Sequence, residues 1–276
     1  VSALKSSGGR LDFQTMKYEF CAFTDPGLAR ANNEDSVTFD ELTCLAVLAD
    51  GMGGYNAGEV ASGMATTFIR TELSRWLSQA GRHANAKEIQ RAMEICVDNA
   101  NRAIFNAAHS NPQYSGMGTT LVMGVFQDAR LMLGHIGDSR CYRLRKGELI
   151  QLTKDHSLLQ EQVDAGLITP EQAAVSINRN LVTRAMGVED AALLEVSECR
   201  VENGDLYLLC SDGLSDMLSA SDIAELLAVP ESLTQKATRM INLANQHGGR
   251  DNISVLLVRA GDVFSKKGLL SRLWGA

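Results

Sequence analysis

Four aspartates in this chain, Asp50, Asp138, Asp212 and Asp251, stand where apolar runs give way to polar loops, and three of them have glycine as a direct neighbour. The clearest case is Leu45-Ala-Val-Leu-Ala-Asp50-Gly-Met-Gly-Gly54. Its apolar residues read as a buried strand that is expected to stop at the carboxylate. Glycine turns tightly and lets the main chain approach a ligand closely, so this arrangement suits a metal ion or a phosphate. Asp138 lies in Gly137-Asp-Ser-Arg140, Asp212 in Ser211-Asp-Gly213, and Asp251 in Gly248-Gly-Arg-Asp-Asn252. A polar loop from Asp25 to Ser36 adds Arg30 and the acid pair Glu34-Asp35, and it leads back to the strand that carries Asp50. Ligand sets made only of oxygen suit hard divalent cations such as Mg²⁺ or Mn²⁺ and suit zinc poorly. Two such ions ~4 Å apart can share a hydroxide and clamp an in-line displacement at phosphorus. Chemistry of that kind needs no protein nucleophile.

Other chemistries fit less well. Gly51-Met-Gly-Gly-Tyr-Asn56 lacks the third glycine of a dinucleotide fingerprint, and no G-x-x-x-x-G-K-[ST] loop occurs. Cys96 and Arg102 have the spacing of a cysteine-dependent phosphatase loop. They fall inside an expected helix, however, where backbone N–H groups are already used and cannot cradle phosphate. His156 reads as a structural hydrogen-bonding residue.

The elements that have to position the acids follow from the pattern. Tyr18–Thr24 and Leu42–Ala49 read as strands, with the Arg30 loop between them. A helix is expected from about Ala57, with Val60, Met64, Phe68, Leu73 and Leu77 as its core stripe. A second helix carries Ile89, Met93, Val97, Ala100, Ile104 and Ala107, and Pro112 ends it. Short strands then cover Thr119–Gln127, Leu131–Ile136, Arg140–Arg145 and Glu148–Leu152. Thr153 to Glu189 is irregular and reads as an inserted flap with helix starts near Leu158 and Pro170. Strands resume at Leu193–Val201 and Asp205–Cys210. Helices follow near Ser221 and over Leu233–Gln246, and Ile253–Arg259 is a last strand. Residues 1–16 are expected to be a flexible leader and 263–276 a weakly basic tail, leaving 17–262 as the catalytic domain.

At 276 residues the chain is long enough to bury a sizeable core. A net charge of −7 argues against a nucleic-acid partner. No apolar run reaches the ~18–20 residues that span a bilayer, and no hydrophobic signal core opens the chain. The six cysteines are scattered among apolar residues without a C-x-x-C pair, as expected of free thiols in a reducing cytoplasm.

Taken together, Arg30-Ala-Asn-Asn-Glu-Asp35, Asp50-Gly-Met-Gly-Gly54, Gly118-Thr-Thr120, Gly137-Asp-Ser-Arg140, Thr153-Lys-Asp-His156, Ser211-Asp-Gly213 and Gly249-Arg-Asp-Asn252 resemble the motif series of the metal-dependent Ser/Thr protein phosphatases of type 2C, in their bacterial form. The resemblance spans about residues 17–260. It implies an α+β fold, a four-layer αββα sandwich of two antiparallel sheets flanked by helix pairs, with a two-metal centre for Mn²⁺ or Mg²⁺ at one edge. It implies hydrolysis of phosphoserine and phosphothreonine on proteins, opposing a Ser/Thr kinase; the alternative is a catalytically inactive phosphoprotein-binding module on the same fold. Carried over by motif, Asp50 bridges both ions and the Gly51 carbonyl binds one. Asp212 and Asp251 hold the other, and Glu34 and Asp35 act mostly through waters. Asp138, with Asp212, holds a weaker third ion, Arg30 grips the phosphate with a bidentate fork, and residues 157–190 form the flap. Met52 replaces a histidine that is common in eukaryotic members and has been viewed as the general acid, which leaves that role unassigned.

Overall fold

The computed structural model describes residues 16–53, 57–81, 84–174, 176 and 181–261. The expected leader (apart from residue 16), Gly54 and the expected tail lie outside the described residues. Eleven strands and seven helices follow one another in runs along the described chain. One sheet has the order β1 (Tyr18–Asp25), β11 (Ile253–Ala260), β10 (Leu206–Cys210), β7 (Arg140–Arg145), β8 (Glu148–Gln151). The other runs β2 (Asp35–Asp40), β3 (Leu45–Met52), β5 (Leu121–Gln127), β6 (Arg130–Ile136), β9 (Glu195–Arg200), with the short β4 (Gly118–Thr119) paired to β3. All pairings within the sheets are antiparallel.

Side chains alternate across a strand, and here both faces are covered. In β3, Leu45, Val47 and Ala49 pack under α1 (Ala57–Ala80) and α2 (Ala86–Ser110). Ala46 and Leu48 point the other way, into a layer between the sheets shared with Phe20, Phe126, Tyr207 and Leu256. β11 repeats this logic. Ile253, Val255 and Leu257 meet α6 (Ala220–Ala228) and α7 (Leu233–Gln246), while Leu256 and Val258 join the middle layer. Burial on both faces explains the unbroken apolar runs, a pattern more often met in parallel sheets. The resulting layers, helices, sheet, sheet, helices, are the four expected ones.

Three elements differ from the expectation. In α1 the core face is Ala57, Ala61, Ala65, Ile69 and Leu73, whereas Val60, Met64, Phe68 and Leu77 are only partly buried. Alanines let this helix lie close on β3, so the larger residues flank the contact instead of making it. The strand before Asp50 was expected to end there, but β3 continues through Gly51 to Met52 because its last residues pair with β4. The residues read as the end of a polar loop open a strand of their own, β2, which pairs with β3 along its length.

The remaining helices have local reasons to start where they do. Asn85, Ser219 and Ser232 form capping boxes at α2, α6 and α7, each worth about 1 kcal/mol. The flap carries α3 (Leu158–Asp164) and α4 (Pro170–Ala174). Its two ends are joined by Leu158 N–H to Leu181 O (2.9 Å), and its base is stitched to the sandwich by Thr183 N–H to His156 O (2.9 Å) and a reciprocal pair between Thr119 and Met186. Among the described residues, no helix is long and apolar enough to cross a membrane.

Candidate metal centre

The acids converge where strand ends of the two sheets meet. Arg30, Glu34, Asp50, Gly51, Asp138, Asp212 and Asp251 line one cavity, joined by Met52, Gly53, Thr120 and Val182. Its wall therefore holds five carboxylates and one guanidinium. Of the sequence-predicted site residues, only Asp35 does not line this cavity. It opens β2 directly opposite Asp50 and stands behind it, 8% exposed.

Each acid is held by a local device. The Asp50 N–H donates to Thr120 Oγ1 (3.0 Å), and the Asp50 carbonyl accepts from Thr119 Oγ1 (2.9 Å) and Thr120 N–H (2.8 Å). Ser211 Oγ donates to Asp35 Oδ2 at 2.7 Å and accepts from Ser254 N–H at 3.0 Å, tying β2 to the other sheet. The Glu34 carbonyl accepts from Gly51 N–H (3.1 Å) and Ser62 Oγ (2.6 Å). At Gly51 the chains approach so closely that a Cβ would lie 2.1 Å from Gly58 O; only glycine fits. Asn252 organises the Arg30 loop by donating to Pro26 O (3.0 Å) and Asn32 O (2.9 Å) and accepting from Glu34 N–H (2.8 Å). Asp212 starts the short α5 (Asp212–Ser215). A Cβ on Gly213 would sit 1.9 Å from Asn252 O, so glycine there is what brings Asp212 up to Asp251.

The electrostatics are those of a centre built for positive charge. Burial, then Asp35, Asp212 and Asp138, hold the Asp50 carboxyl well above its ordinary range. Burial, then Asp138 and Asp251, do the same to Asp212. Burial pushes Asp138 up to about 6, with Asp155 adding to it. Asp35 is also pushed up to about 6 by burial, against the Ser211 hydrogen bond. The buried Asp35 Oδ1 has no hydrogen-bond partner, and among the described residues no side chain donates to Asp138. Buried carboxylates that lack donors and repel one another are costly unless a cation joins them. These residues fit hard divalent ions.

Arg30 is not poised alone. Its Nη2 donates to Asp251 Oδ2 at 2.7 Å, and its side chain is 52% exposed. The expected phosphate fork thus begins from an ion pair with an expected metal ligand.

Sequence reasoning assigned no role to Thr120 or Asn252, although both sit in the quoted motifs; hydroxyl and amide side chains beside the acids were the available signal. Val182, which joins the wall from the flap, had none.

His156 is structural, as expected. Its Nδ1 accepts the Gly137 N–H (3.1 Å), its Nε2 faces Glu195 Oε2 (3.2 Å), and its ring stacks on His135. His135, His156 and Glu195 cluster as metal ligands could. With the Nδ1 lone pair already accepting the Gly137 N–H, however, a cation on the Nε2 lone pair would require an imidazolate, so the trio reads as a clamp on the Gly137 turn. Cys96 is buried within α2 and its thiol is pushed up to about 12 by burial, so it is no nucleophile. Among the described residues, no histidine lines the acidic cavity.

The family described as "Protein phosphatase 2C" matches residues 29–257. Serine/threonine protein phosphatase PstP of Mycobacterium tuberculosis is 43% identical over 249 residues, 90% of this chain and 46% of that protein. The chain therefore spans about half the length of that relative. Serine/threonine phosphatase stp of Listeria innocua is 37% identical over 238 residues, covering 85% of this chain and 93% of that protein. The solved catalytic domain of PstP, in complex with two manganese ions, superposes with a TM-score of 0.78 at 40% identity, over 90% of this chain and 100% of that one.

Proposed function

The chain belongs to the protein phosphatase 2C family, and from that premise we propose that it hydrolyses phosphoserine and phosphothreonine on proteins with two Mn²⁺ or Mg²⁺ ions. The observation that carries this reading is a single cavity lined by five carboxylates, one arginine and no thiol or histidine among the described residues. When bound, the ions supply an activated water and the charge that offsets the phosphate oxygens.

The chain's own residues do the rest. Asp50, fixed through its backbone by Thr119 and Thr120, would hold both ions, with the Gly51 carbonyl beside it. Asp212 and Asp251 would hold one from the opposite sheet. Glu34 and, from behind, Asp35 would act through water. Asp138 with Asp212 would take a weaker third ion. Arg30, at the rim, exchanges its Asp251 partner for the substrate phosphate and orients it for in-line attack. Met52 lines the cavity but has no proton to give, so the general acid lies elsewhere.

The buried thiols support a cytoplasmic setting, where the enzyme opposes a Ser/Thr protein kinase. No observation favours the inactive binding module, since a pseudoenzyme has no physical need for clustered, mutually repelling acids.

The test is phosphate release from a phosphothreonine peptide by chelated protein with and without added Mn²⁺. Turnover only with the metal is expected. Full activity after EDTA treatment and dialysis overturns the two-metal reading.

A further inference from the structure

Among the described residues, the lining of the metal cavity carries two apolar side chains, Met52 from the end of β3 and Val182 from the flap. The apolar surface does not stop at the cavity wall. Met52 Cε and Val188 Cγ2 both close over the bare backbone of Gly118, where a Cβ would lie 2.8 Å from the first and 3.0 Å from the second. Met52 is partly buried, whereas Val188 is 54% exposed. Val188 owes its place to a buried amide. On α2, the fully buried Asn101 accepts from Gly187 N–H through Oδ1 (2.7 Å) and donates from Nδ2 to Glu189 O (3.0 Å). Gly187 has a φ of +85°, and a Cβ there would sit 2.4 Å from Ile104 Cγ2. The chain is therefore held on both sides of Val188, and an apolar side chain is presented to solvent on a fixed turn.

We propose that Val182, Met52 and Val188 form a ledge that takes an apolar side chain of the substrate, within a few positions of the phosphorylated residue. The ledge is continuous with the cavity wall, and an extended peptide advances ~3.3 Å per residue. A peptide whose phosphate sits among the carboxylates therefore brings a near neighbour within reach of Val188. A leucine or valine laid there removes from water apolar surface that the free protein exposes. Because Asn101 already fixes the turn, little ordering is lost on binding. A charged side chain in the same place would give up water for an apolar contact, which makes the ledge selective as well as attractive. This inference rests on the phosphatase reading and gives it a substrate preference.

Val188 is the residue to test, since its side chain is exposed and no metal role falls to it. The Mn²⁺-loaded protein is assayed on phosphothreonine peptides in which leucine, glycine, lysine or glutamate is moved through the three positions on either side of the phosphothreonine. At one position, leucine is expected to raise kcat/KM roughly five- to tenfold over glycine. Val188→Ala should shrink that ratio, and Val188→Lys should turn the preference towards glutamate. An equal loss on the leucine and glycine peptides would mean that Val188 only supports the turn, and overturns the subsite. Peptide hydrolysis with no leucine preference at any position, or a leucine preference that survives Val188→Lys, also overturns the subsite alone. Failure to hydrolyse any phosphopeptide overturns both the subsite and the reading beneath it.

Discussion

At the residue scale, Asp50 and Arg30 show how the same cavity asks for different chemistry. Asp50 is crowded by burial and by four other aspartates, so removing its charge relieves repulsion while removing the ligand. Asp50→Asn is therefore expected to abolish most turnover at saturating Mn²⁺. The metal-free protein should gain on the order of 1 kcal/mol, read as a higher urea midpoint with unchanged slope. Near-normal turnover would refute its place at the centre. Arg30 pairs with Asp251 at the exposed rim, where an ion pair is worth little, so Arg30→Ala should leave stability almost unchanged. Losing a charge-assisted bond to phosphate, worth on the order of 1.5–3 kcal/mol, should lower kcat/KM roughly ten- to a hundredfold, with Arg30→Lys recovering only part. Calorimetric Mn²⁺ titration of the same variants separates the alternatives: a large loss of Mn²⁺ affinity with an unchanged KM would mean that Arg30 serves the metal through Asp251.

At the element scale, the turn between β9 and β10 depends on one buried acid. Asp205, 1% exposed, accepts from Arg145 Nε (2.8 Å) and Nη2 (2.7 Å), from Glu202 N–H (2.7 Å) and from Tyr207 OH (3.0 Å). It thereby ties β7 to β10 at the far end of the sheet from Asp212, which follows β10. Burial alone would raise its carboxyl, but Arg145 and the other donors hold it below its ordinary range. Asp205→Ala leaves Arg145 with Glu202 and the Arg200 carbonyl but takes the acceptor from Arg145 Nε, Glu202 N–H and Tyr207 OH, and should cost about 2 kcal/mol, measured by urea unfolding. For an acid depressed in the folded state, the stabilisation is complete above the unfolded pKa of about 4 and fades as pH falls through the folded value. The cost of the substitution should therefore shrink in acid. A loss independent of pH down to 3 would show that the acid acts by shape and not by charge.

At the scale of the whole molecule, two sheets each contribute acids to one edge, and the fold holds them together against their mutual repulsion. Asp35 and Asp138 are pushed up to about 6 in the folded chain, against about 4 when unfolded. The folded protein thus keeps protons that the unfolded chain releases, so metal-free stability should fall as pH rises from about 4 through 6. Divalent ions take the protons' place. The thermal midpoint of the chelated protein should therefore be higher at pH 5.5 than at pH 7.5, and the gain on adding Mn²⁺ should be larger at pH 7.5. Equal gains at both values would contradict this picture.

The sequence by itself determined a good deal. Glycine beside aspartate at the ends of apolar runs marked Asp50, Asp138 and Asp212, and the ordered motifs carried the family and the four-layer fold. Local signals sufficed there because turns and oxygen ligands need particular residue types within a few positions. What tertiary structure alone decided is pairing across distance. The start of β2 lies in a polar stretch with no apolar alternation, so only its ladder with β3 shows that Asp35 faces Asp50. The alanine face of α1 was hidden behind larger residues with the same period. Arg30 meets Asp251 across 221 positions, and Val182 reaches the metal cavity from a flap whose sequence has no regular pattern. Spacing along a chain reports the period of an element. Which faces meet is fixed by packing two sheets and the four helices that flank them into one volume, and that is a property of the whole chain.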